Sequence, residues 1–315
     1  MENIRIEVVT PVHNRREITL ECLRSLAQAD QTGFQIHIII VDDGSTDGTS
    51  EAICQEFPDV EIVQGDGNLW YTAGANRGMA AAIVRNPDYI LAINDDSIFD
   101  NGFLQNMVET AETYDRSVVG AVLIDWKSRK RVFQVSPKWY VWWGGMRHWM
   151  KQTIHTLPKT PWKVEVIVGN CVLYPIQAVR EAGLMDEKRL PHFGDAEYTP
   201  RMRKMGWTLL IDPRAKVFCK PNDTPKSLRA QSMKEVFTAL FVNPNHSHSL
   251  KRRWNMSMGG APNRFQGFTA FFVFFVRFLL GMNVEGKWAI RQNEKPLSEI
   301  FRNETLPGKQ PRRSN

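Results

Sequence analysis

Cysteine is scarce in this sequence, with four residues in 315, at positions 22, 54, 171 and 219. No two of them form a Cys-x-x-Cys pair, which argues against a disulfide framework and against a structural zinc site. A reduced, cytosolic setting is therefore the simplest one for the chain. The N-terminal residues contain no apolar stretch that resembles a signal peptide, so the sequence does not indicate export.

Signatures of several nucleotide-binding classes are also missing. No Gly-Lys-Ser or Gly-Lys-Thr follows the glycine-rich stretch 65–78, which excludes the phosphate loop of an ATPase. No Gly-x-Gly-x-x-Gly follows the first predicted strand, as a dinucleotide-binding oxidoreductase would require. Residues 11–16 lack the glycine-rich loop with Arg and Lys that a sugar nucleotidyltransferase carries at this place.

Neither sign of charge dominates, because 40 Lys and Arg residues stand against 34 Asp and Glu residues, for a net charge of +6. The basic excess is concentrated at 127–131, at 251–253 and at 312–313. Basic patches suit phosphate-rich partners, and we expect a diphosphate ligand and an anionic membrane surface rather than nucleic acid. For any single patch, a solvated basic face is the alternative interpretation.

Strand-like and helix-like segments alternate through the first 124 residues. The predicted strands are 4–10, 36–41, 60–63, 89–93 and 118–124, and the predicted helices are 18–29, 49–57, one from about 76, and 103–114. Regular structure is then expected at 164–168, 176–183, 199–205 and 207–211. This alternation predicts an α/β fold with a mostly parallel, Rossmann-like sheet flanked by helices. In such sheets, ligands bind beyond the carboxyl ends of the strands.

Residues 125–163 depart from this alternation. They lose periodicity and hold six of the ten tryptophans, together with several basic residues. We interpret them as a Trp-rich basic insertion. The insertion either covers an active site or meets a lipid, or it is an irregular subdomain with tryptophan in its core.

Residues 265–282 are rich in phenylalanine and include Arg277. They are short for a membrane span, which needs roughly 20 apolar residues. An interfacial helix flanked by basic residues is one interpretation. A helix that packs against the rest of the chain, or against a second subunit in a homo-oligomer, is the other.

Polar clusters follow four of the predicted strands. The first, at 10–15, can offer backbone groups and an amide to a nucleobase. The second, at 41–49, places the carboxylates of Asp42 and Asp43 side by side. Because adjacent carboxylates repel each other, they favour a partner that supplies hydrogen-bond donors, such as a nucleobase N–H or ribose hydroxyls.

The third cluster, at 65–78, is rich in glycine and small residues at a predicted helix start. A helix N-terminus favours an anion, and Arg77 can add positive charge there. Trp70 can stack on a base or on a sugar ring, and a core tryptophan is the alternative interpretation.

The fourth cluster is Asn94-Asp95-Asp96, directly after a predicted apolar strand. Carboxylate oxygens are the ligands that Mg²⁺ and Mn²⁺ prefer, and both ions keep positions open for phosphate oxygens. The cluster therefore predicts a metal site for a diphosphate. Its position beside three other polar clusters strengthens this prediction.

At these clusters the sequence resembles the family 2 glycosyltransferases of the GT-A fold. The similar motifs are Pro-Val-His-Asn-Arg, Val-Asp-Asp-Gly-Ser, Gly-Asp-Gly-Asn-Leu-Trp, Ala-Asn-Arg-Gly and Asn-Asp-Asp. Bacterial rhamnosyltransferase-like and galactofuranosyltransferase-like members are the most similar in character. The resemblance runs over residues 4–217, roughly two thirds of the chain.

The resemblance implies an inverting, metal-dependent transfer of a sugar from a nucleotide-diphosphate donor to a hydroxyl of a glycan or lipid-linked acceptor. It implies a Mg²⁺ or Mn²⁺ cofactor and a role in cell-surface polysaccharide synthesis at the inner face of the cytoplasmic membrane. Residues 1–225 are then the expected GT-A domain, and 226–315 a helical, membrane-associating extension. The alternatives are a sugar nucleotidyltransferase and a non-catalytic nucleotide-sugar-binding protein.

The resemblance also implies the donor side of the site. The base pocket is expected at Pro11, His13 and Asn14, with Asp43 bonded to the nucleobase. Asp96 is the expected metal ligand, with Asp95 near the ribose or the metal. The complete set of expected donor-binding residues is Pro11, His13, Asn14, Asp43, Trp70, Gly74, Asn76, Arg77, Asn94 and Asp95.

On the acceptor side, the resemblance points to Gly169 and Asn170 and to the acidic motif at 192–198. Asp195 is the expected general base. Glu197 is expected to orient the acceptor or the start of a helix.

One departure from the family pattern concerns the metal. Many relatives place a metal-binding histidine after the strand that follows the catalytic helix, where this sequence has Cys219 and Lys220. Lys220 is expected to contact the diphosphate instead, or water to complete the metal's coordination. His246 and His248 are candidates only if the chain folds back.

Overall fold

The computed structural model describes residues 3–132, 138–147, 152–220, 232–243, 246 and 248–280. The first half consists of β1 (Ile4–Val12), α1 (Arg16–Gln28), β2 (Phe34–Asp42), α2 (Thr49–Glu56), β3 (Glu61–Gln64), α3 (Trp70–Val84), β4 (Tyr89–Ile93), β5 (Ile98–Phe99), α4 (Phe103–Thr113) and β6 (Ser117–Asp125). The second half consists of β7 (Lys138–Tyr140), a 3₁₀ turn (Val141–Trp143), β8 (Gly145–Arg147), β9 (Trp162–Lys163), β10 (Cys171–Pro175), α5 (Ile176–Ala182), α6 (Asp195–Lys204), β11 (Thr208–Cys219), α7 (Met233–Phe237), a π-helical turn (Thr238–Val242), α8 (Leu250–Gly260) and α9 (Arg264–Leu279).

Nine of the described strands build one sheet in the order β3-β2-β1-β4-β10-β6-β11-β5, with β9 beside β11, and β7 and β8 form a separate antiparallel pair. Strands β3, β2, β1 and β4 run parallel to one another, and β6 runs parallel to β11. Strand β10 lies antiparallel between β4 and β6. The predicted α/β fold with a mostly parallel sheet is thereby confirmed.

The sheet is covered on both faces, as the apolar runs of its strands predict. In β1, Val8 packs in a cluster with Leu26 and Phe103, whereas the next residue, Val9, packs on the other face with Met79. Because successive side chains of a strand point to opposite faces, one strand supplies both cores. The two cores hold the sheet from both faces and so position the loops that follow its strands.

Two predicted elements begin elsewhere than the sequence indicated. Helix α3 starts at Trp70, six residues before the predicted start near 76, and α6 starts at Asp195 rather than 199. Pro200 is therefore the sixth residue of α6, and it cannot donate to Ala196 O. Gly260 of α8 lies against that oxygen, since a Cβ there would come within 3.0 Å of it.

Three strand predictions also need correction. The segment 164–168 is buried but irregular, and the strand is β10, which begins at Cys171. Strand β11 continues to Cys219 through a register shift between Asp212 and Lys216. Strand β1 passes through Pro11, which pairs with β2 beyond the point where the pairing with β4 ends at Val9. The missing N–H of Pro11 is therefore not needed by β4.

The C-terminal helices fold back onto the sheet domain and the Trp-rich segment. Lys204 Nζ of α6 donates to Gly259 O of α8 at 2.8 Å. Gly144, at φ 81°, approaches α9 so closely that a Cβ there would lie 2.6 Å from the Cβ of Phe274. Helix α9 thus packs against the chain through one face. Within the described residues, no helix combines the length and apolarity needed to cross a membrane.

Several predicted features lie outside the described residues. They are the boundary at 225, the basic pair 312–313, Trp149, the end of the Phe-rich segment after 280, and the remainder of the extension to 315.

Candidate active site

Asp43, directly after β2, holds the loop that leads into α3. Its Oδ1 accepts from Gly67 N at 2.8 Å, and its Oδ2 accepts from Leu69 N at 3.0 Å and Trp70 N at 3.2 Å. The carboxylate thereby bonds the free N–H groups at the start of a helix, where negative charge is stabilised. The neighbouring Asp42 accepts from Ser45 N at 2.9 Å and so shapes its own turn.

His13 and Asn14 join the loop after β1 to the loop after β2. His13 Nδ1 lies 2.7 Å from the carbonyl oxygen of Asp43, which can only accept, so this nitrogen carries the proton. His13 Nε2 then accepts from Asn14 Nδ2 at 3.0 Å. Asn14, at φ 51°, in turn accepts from Thr46 N at 2.7 Å. This end of the sheet is thus a fixed, polar surface.

Trp70 has the most unusual backbone of the site. It lies at φ 56°, a conformation that is rare for a bulky residue and that the surrounding structure must enforce. The hydrogen bond from Trp70 N–H to the carboxylate of Asp43 stabilises this conformation. Its side chain is 52% exposed, and its ring lies edge-on to His192 with centroids 4.3 Å apart.

The other expected donor residues of α3 hold the helix in place. A Cβ on Gly74 would lie 2.8 Å from the Cβ of Pro11, so glycine lets α3 approach β1. Asn76 Nδ2 donates to Met185 O at 3.0 Å and to Glu187 Oε2 at 2.7 Å, and these bonds use both of its hydrogens. Arg77 is exposed and donates to the backbone of β3.

The acidic pair after β4 is bridged by Arg15, a residue without a role in the sequence-based prediction. Arg15 Nη1 donates to Asp95 Oδ1 at 2.8 Å, and Arg15 Nη2 donates to Asp96 Oδ2 at 3.2 Å. Burial raises the pKa of Asp95 to about 6; Arg15 opposes the rise and the charge of Asp96 adds to it. The signal for this contact was only that Arg15 follows the first cluster, 80 residues from Asp95.

The same cluster holds oxygens that lack a hydrogen-bond partner. Asn94 Oδ1, Asp95 Oδ2 and Asp96 Oδ1 are buried and unpaired. Buried acceptors without donors are costly, and hard oxygens of this kind fit a Mg²⁺ or Mn²⁺ ion. The residues present therefore fit the implied metal, although no group of three or more His, Cys, Asp or Glu side chains forms in the described part of the chain.

The residues weighed as substitutes for the missing histidine lie at the end of β11 and just before α8. Cys219 is buried at the end of β11, where burial, with the charge of Asp96, raises the pKa of its thiol well above the ordinary value. A neutral thiol is a poor ligand for Mg²⁺. The rings of His246 and His248 lie 5.4 Å from each other. Lys220 is exposed, next to Cys219.

Asp195 begins α6 in very different surroundings. Its Oδ2 accepts from Gly169 N at 2.9 Å, and Tyr71 donates its hydroxyl to Gly169 O at 3.1 Å. Burial raises the pKa of Asp195, while backbone hydrogen bonds from Gly169 and Ala196 oppose the rise. A Cβ on Gly169 would lie 2.6 Å from Tyr71 Oη and 3.2 Å from Asp195 Cβ, so only glycine fits there.

Glu197, expected to orient an acceptor, is paired within α6. Arg201 Nε lies 2.9 Å from Glu197 Oε1, four residues further along the helix. A Cβ on Gly259 would lie 2.6 Å from Glu197 Cγ, so α8 covers this side chain closely. Glu197 therefore also joins α6 to α8.

The contacts close into a circuit around the carboxyl edge of the sheet. Asn94 N donates to Asn170 O at 3.0 Å, which joins the acidic pair to the segment that positions Asp195. Hydrogen bonds and peptide bonds together close the circuit, and Asp195 is bonded to it at Gly169. In order, the members of the circuit are Gly169, Tyr71, Trp70, Asp43, His13, Asn14, Arg15, Asp96, Asp95, Asn94 and Asn170. All four polar clusters and the acceptor-side segment thus belong to one site.

Two relatives match much of the chain. The N-acetylglucosaminyl-diphospho-decaprenol L-rhamnosyltransferase of Mycobacterium tuberculosis is 26% identical over 218 residues, which cover 62% of this chain and 69% of the relative. The N-acetylglucosaminyltransferase of Azorhizobium caulinodans is 27% identical over 183 residues, which cover 56% of this chain and 43% of the relative.

Two solved structures share the architecture. GalNAc-T7 with UDP, GalNAc and Mn²⁺ gives a TM-score of 0.56 at 11% identity, over 82% of this chain and 52% of that one. This chain thus spans about half the length of GalNAc-T7. The mannosyltransferase PcManGT from Pyrobaculum calidifontis, with GDP-Man and Mn²⁺, gives a TM-score of 0.50 at 14% identity. The match covers 88% of this chain and 76% of that one. At these identities the likeness shows the fold, which is GT-A.

A family model covers the part of the chain that carries the four polar clusters. The model, described as glycosyl transferase family 2, matches residues 7–183, more than half of the chain. The chain belongs to glycosyl transferase family 2 and is a glycosyltransferase.

Proposed function

We propose that the chain is an inverting glycosyltransferase that moves a sugar from a nucleotide-diphosphate donor to a hydroxyl of a glycan or lipid-linked acceptor. The observation that supports this proposal is that the buried carboxylate of Asp195 is connected, through Gly169 and Asn170, to an acidic pair with unpaired oxygens. The name of the mycobacterial relative, a rhamnosyltransferase for a lipid diphosphate, supports an acceptor of this class.

Asp195 acts as the general base. A carboxylate whose pKa is raised by burial is a stronger base than an exposed one, and general base catalysis is most effective when that pKa approaches the working pH. Asp195 takes the proton of the acceptor hydroxyl. The acceptor oxygen forms a bond to the anomeric carbon as the bond from that carbon to the diphosphate oxygen breaks. A single displacement inverts the anomeric centre.

The donor lies on the side of β1, β2 and β4. Pro11, His13, Asn14 and Asp43 form the base pocket, because their loops are tied together and end at one edge. Asn94, Asp95 and Asp96 would hold Mg²⁺ or Mn²⁺, which when bound supplies positive charge for the departing diphosphate. Because the amide of Asn76 is fully engaged, we leave it out of the donor contacts.

The donor class can be measured by thermal shift. Nucleoside diphosphates and nucleotide sugars are screened with and without Mn²⁺, and one base is expected to raise Tm, more strongly with Mn²⁺, since a ligand that binds only the folded state stabilises it. Turnover with that donor should release the nucleoside diphosphate. Pyrophosphate release from a nucleoside triphosphate would instead identify a sugar nucleotidyltransferase, and no response to any nucleotide would reject the proposal.

The exposed face of α9 contacts an anionic membrane surface in this proposal, at the inner face of the cytoplasmic membrane during cell-surface polysaccharide synthesis. Its exposed apolar residues recur every three or four positions and so share one side of the helix. They are Phe265, Phe268, Phe272, Val276 and Leu279, between 36% and 77% exposed. The exposed Arg264 lies at the start of this helix, whereas Arg277 stacks over Trp143, with its Cζ 4.7 Å from the ring centroid. Such a helix suits anionic lipid.

Co-sedimentation with vesicles tests the membrane contact. The full chain should bind vesicles of phosphatidylcholine with phosphatidylglycerol, and the double variant Phe268→Ser/Phe272→Ser should bind about tenfold more weakly. Val84→Ser is the matched control, because Val84 is an apolar residue of α3 that is 85% exposed outside this face. Unchanged vesicle binding, with a loss of dimer in size-exclusion chromatography, would show instead that a second copy covers the face.

A further inference from the structure

The guanidinium of Arg15 forms ion pairs with two carboxylates rather than with one. Its two terminal nitrogens reach different residues, Asp95 at 2.8 Å and Asp96 at 3.2 Å. The arginine side chain is 38% exposed, whereas the side chains of Asp95 and Asp96 are 7% and 15% exposed. The guanidinium therefore enters a buried acidic pair from its open side and is the group nearest to solvent.

The bridge uses only part of what the acidic pair offers. One oxygen of each carboxylate, together with Asn94 Oδ1, stays buried and without a hydrogen-bond partner. Two carboxylates carry two negative charges, and one guanidinium balances one of them. The cluster therefore has unused charge and unused oxygens for a divalent cation. With that cation in place, a guanidinium in its present position would be repelled by it.

Resting on the donor chemistry proposed above, we infer that Arg15 is a built-in counter-ion of the Asp95–Asp96 pair, displaced when a divalent cation enters and then bonded to the diphosphate that accompanies it. The planar fork of a guanidinium matches phosphate oxygens as well as carboxylate oxygens. Arg15 therefore exchanges one anionic partner for another. Metal and diphosphate binding become interdependent, because each favours the same position of one side chain.

The backbone of Arg15 is held while its side chain can turn. Thr19 donates both its N–H and its hydroxyl to Arg15 O, each at 2.9 Å. On the other side, Asn14 N donates to Ser45 Oγ at 2.9 Å. The exchange therefore needs only a change of rotamer in a partly exposed side chain, which is fast. No movement of α1 or of the sheet is involved.

Binding of Mn²⁺ to the full chain without substrate tests the inference. The free Mn²⁺ signal in electron paramagnetic resonance is titrated for the wild type and for Arg15→Gln. Because the variant lacks the competing guanidinium, it should bind Mn²⁺ about tenfold more tightly. When UDP or GDP is added, whichever binds, the variant should lose this advantage and hold the nucleotide more weakly than the wild type does.

Arg16→Gln is the matched control. It removes an arginine from the next position, where the side chain lies 3.4 Å from Glu17 rather than at the acidic pair. This variant should match the wild type in both titrations. In EDTA, Arg15→Gln should have a lower Tm than the wild type, and Mn²⁺ should raise its Tm by more, which also shows that the variant is folded.

An unchanged or weaker Mn²⁺ affinity of Arg15→Gln would overturn the inference and make Arg15 a fixed structural partner. Absence of Mn²⁺ binding in both proteins would overturn it as well. If nucleotide still raised Tm in that case, the proposed donor class would stand without its metal, so the two failures are distinguishable.

Discussion

The two acidic centres of the site, after β4 and at the start of α6, are neutralised in different ways. Asp95 and Asp96 share a guanidinium and retain unpaired oxygens. Asp195 is held by backbone N–H groups, and no cationic side chain in the described part of the chain forms an ion pair with it. Both are carboxylates in buried surroundings, so the difference lies in their partners.

This difference assigns the two centres different chemistry. A cluster that already accommodates one positive group, with oxygens to spare, is built to hold positive charge. A single carboxylate whose pKa is raised by burial, without a cation to hold it ionised, is built to gain and lose a proton. The hydrogen bond from Asn94 to Asn170 joins the segments that carry the two centres.

The largest expected effect follows from Asp195→Asn. Asparagine keeps an oxygen for Gly169 N–H but cannot take a proton, so transfer should fall by a factor on the order of 10² to 10⁴. A carboxyl whose pKa is raised by folding costs stability once pH rises through its folded-state pKa, and the neutral amide avoids that cost. At neutral pH, the variant's Tm should therefore equal or exceed that of the wild type.

Release of nucleoside diphosphate and differential scanning fluorimetry measure these two effects. Near-normal turnover would reject Asp195 as the base. A large drop in Tm would show that its charge is structural, and the two centres would then differ less than proposed.

The sequence predicted the acidic pair from its position after a strand, whereas Asp195 was expected only because residues 192–198 resemble the family's acidic motif. Once strands 4–10, 36–41 and 89–93 are recognised as parallel neighbours, the residues after them must meet at one edge. Asp43, Asp95 and Asp96 follow from local pattern alone. The fold class follows from the same alternation, because strands that are buried on both faces need helices on both sides.

What the sequence could not predict depends on contacts between distant residues. The start of α3 is set by Asp43, 27 residues before Trp70, and the bridge from Arg15 spans 80 residues. Neither contact can be predicted from the residues close to it in the sequence. The strand expected at 164–168 fails for a related reason. Its apolar run reflects burial against Gly120, where a Cβ would come within 2.5 Å of Ile167 Cγ2, and burial does not require a strand.

A smaller effect, with rescue, is expected from Asp96→Asn. The variant loses one of two negative charges but keeps Asp95 and Asn94, so its requirement for Mn²⁺ should rise about tenfold. Saturating Mn²⁺ should restore part of its activity, whereas Asp195→Asn should not respond to metal at any concentration. A metal titration of nucleoside diphosphate release compares the two variants. Rescue of Asp195→Asn, or none of Asp96→Asn, would break the distinction between the centres.

The smallest expected effect is a shift in the acid limb of the pH–rate profile. Transfer should fall as pH decreases through the raised pKa of Asp195, because the protonated carboxyl cannot act as a base. At limiting Mn²⁺, a second loss should set in near the pKa of Asp95, about 6, because protonation there competes with the metal. A higher Mn²⁺ concentration should remove the loss of activity that is due to Asp95. The acid limb of the profile should then move to lower pH by about one unit or less.

Rates at saturating donor and acceptor, measured at two Mn²⁺ concentrations between pH 5 and pH 8, would separate the two losses. Only the loss due to Asp195 should persist at high metal, because its carboxyl belongs to the acceptor side and does not bind the ion. A limb that stays fixed at every Mn²⁺ concentration would mean that Asp95 does not bind the metal. The acidic pair would then serve Arg15 alone.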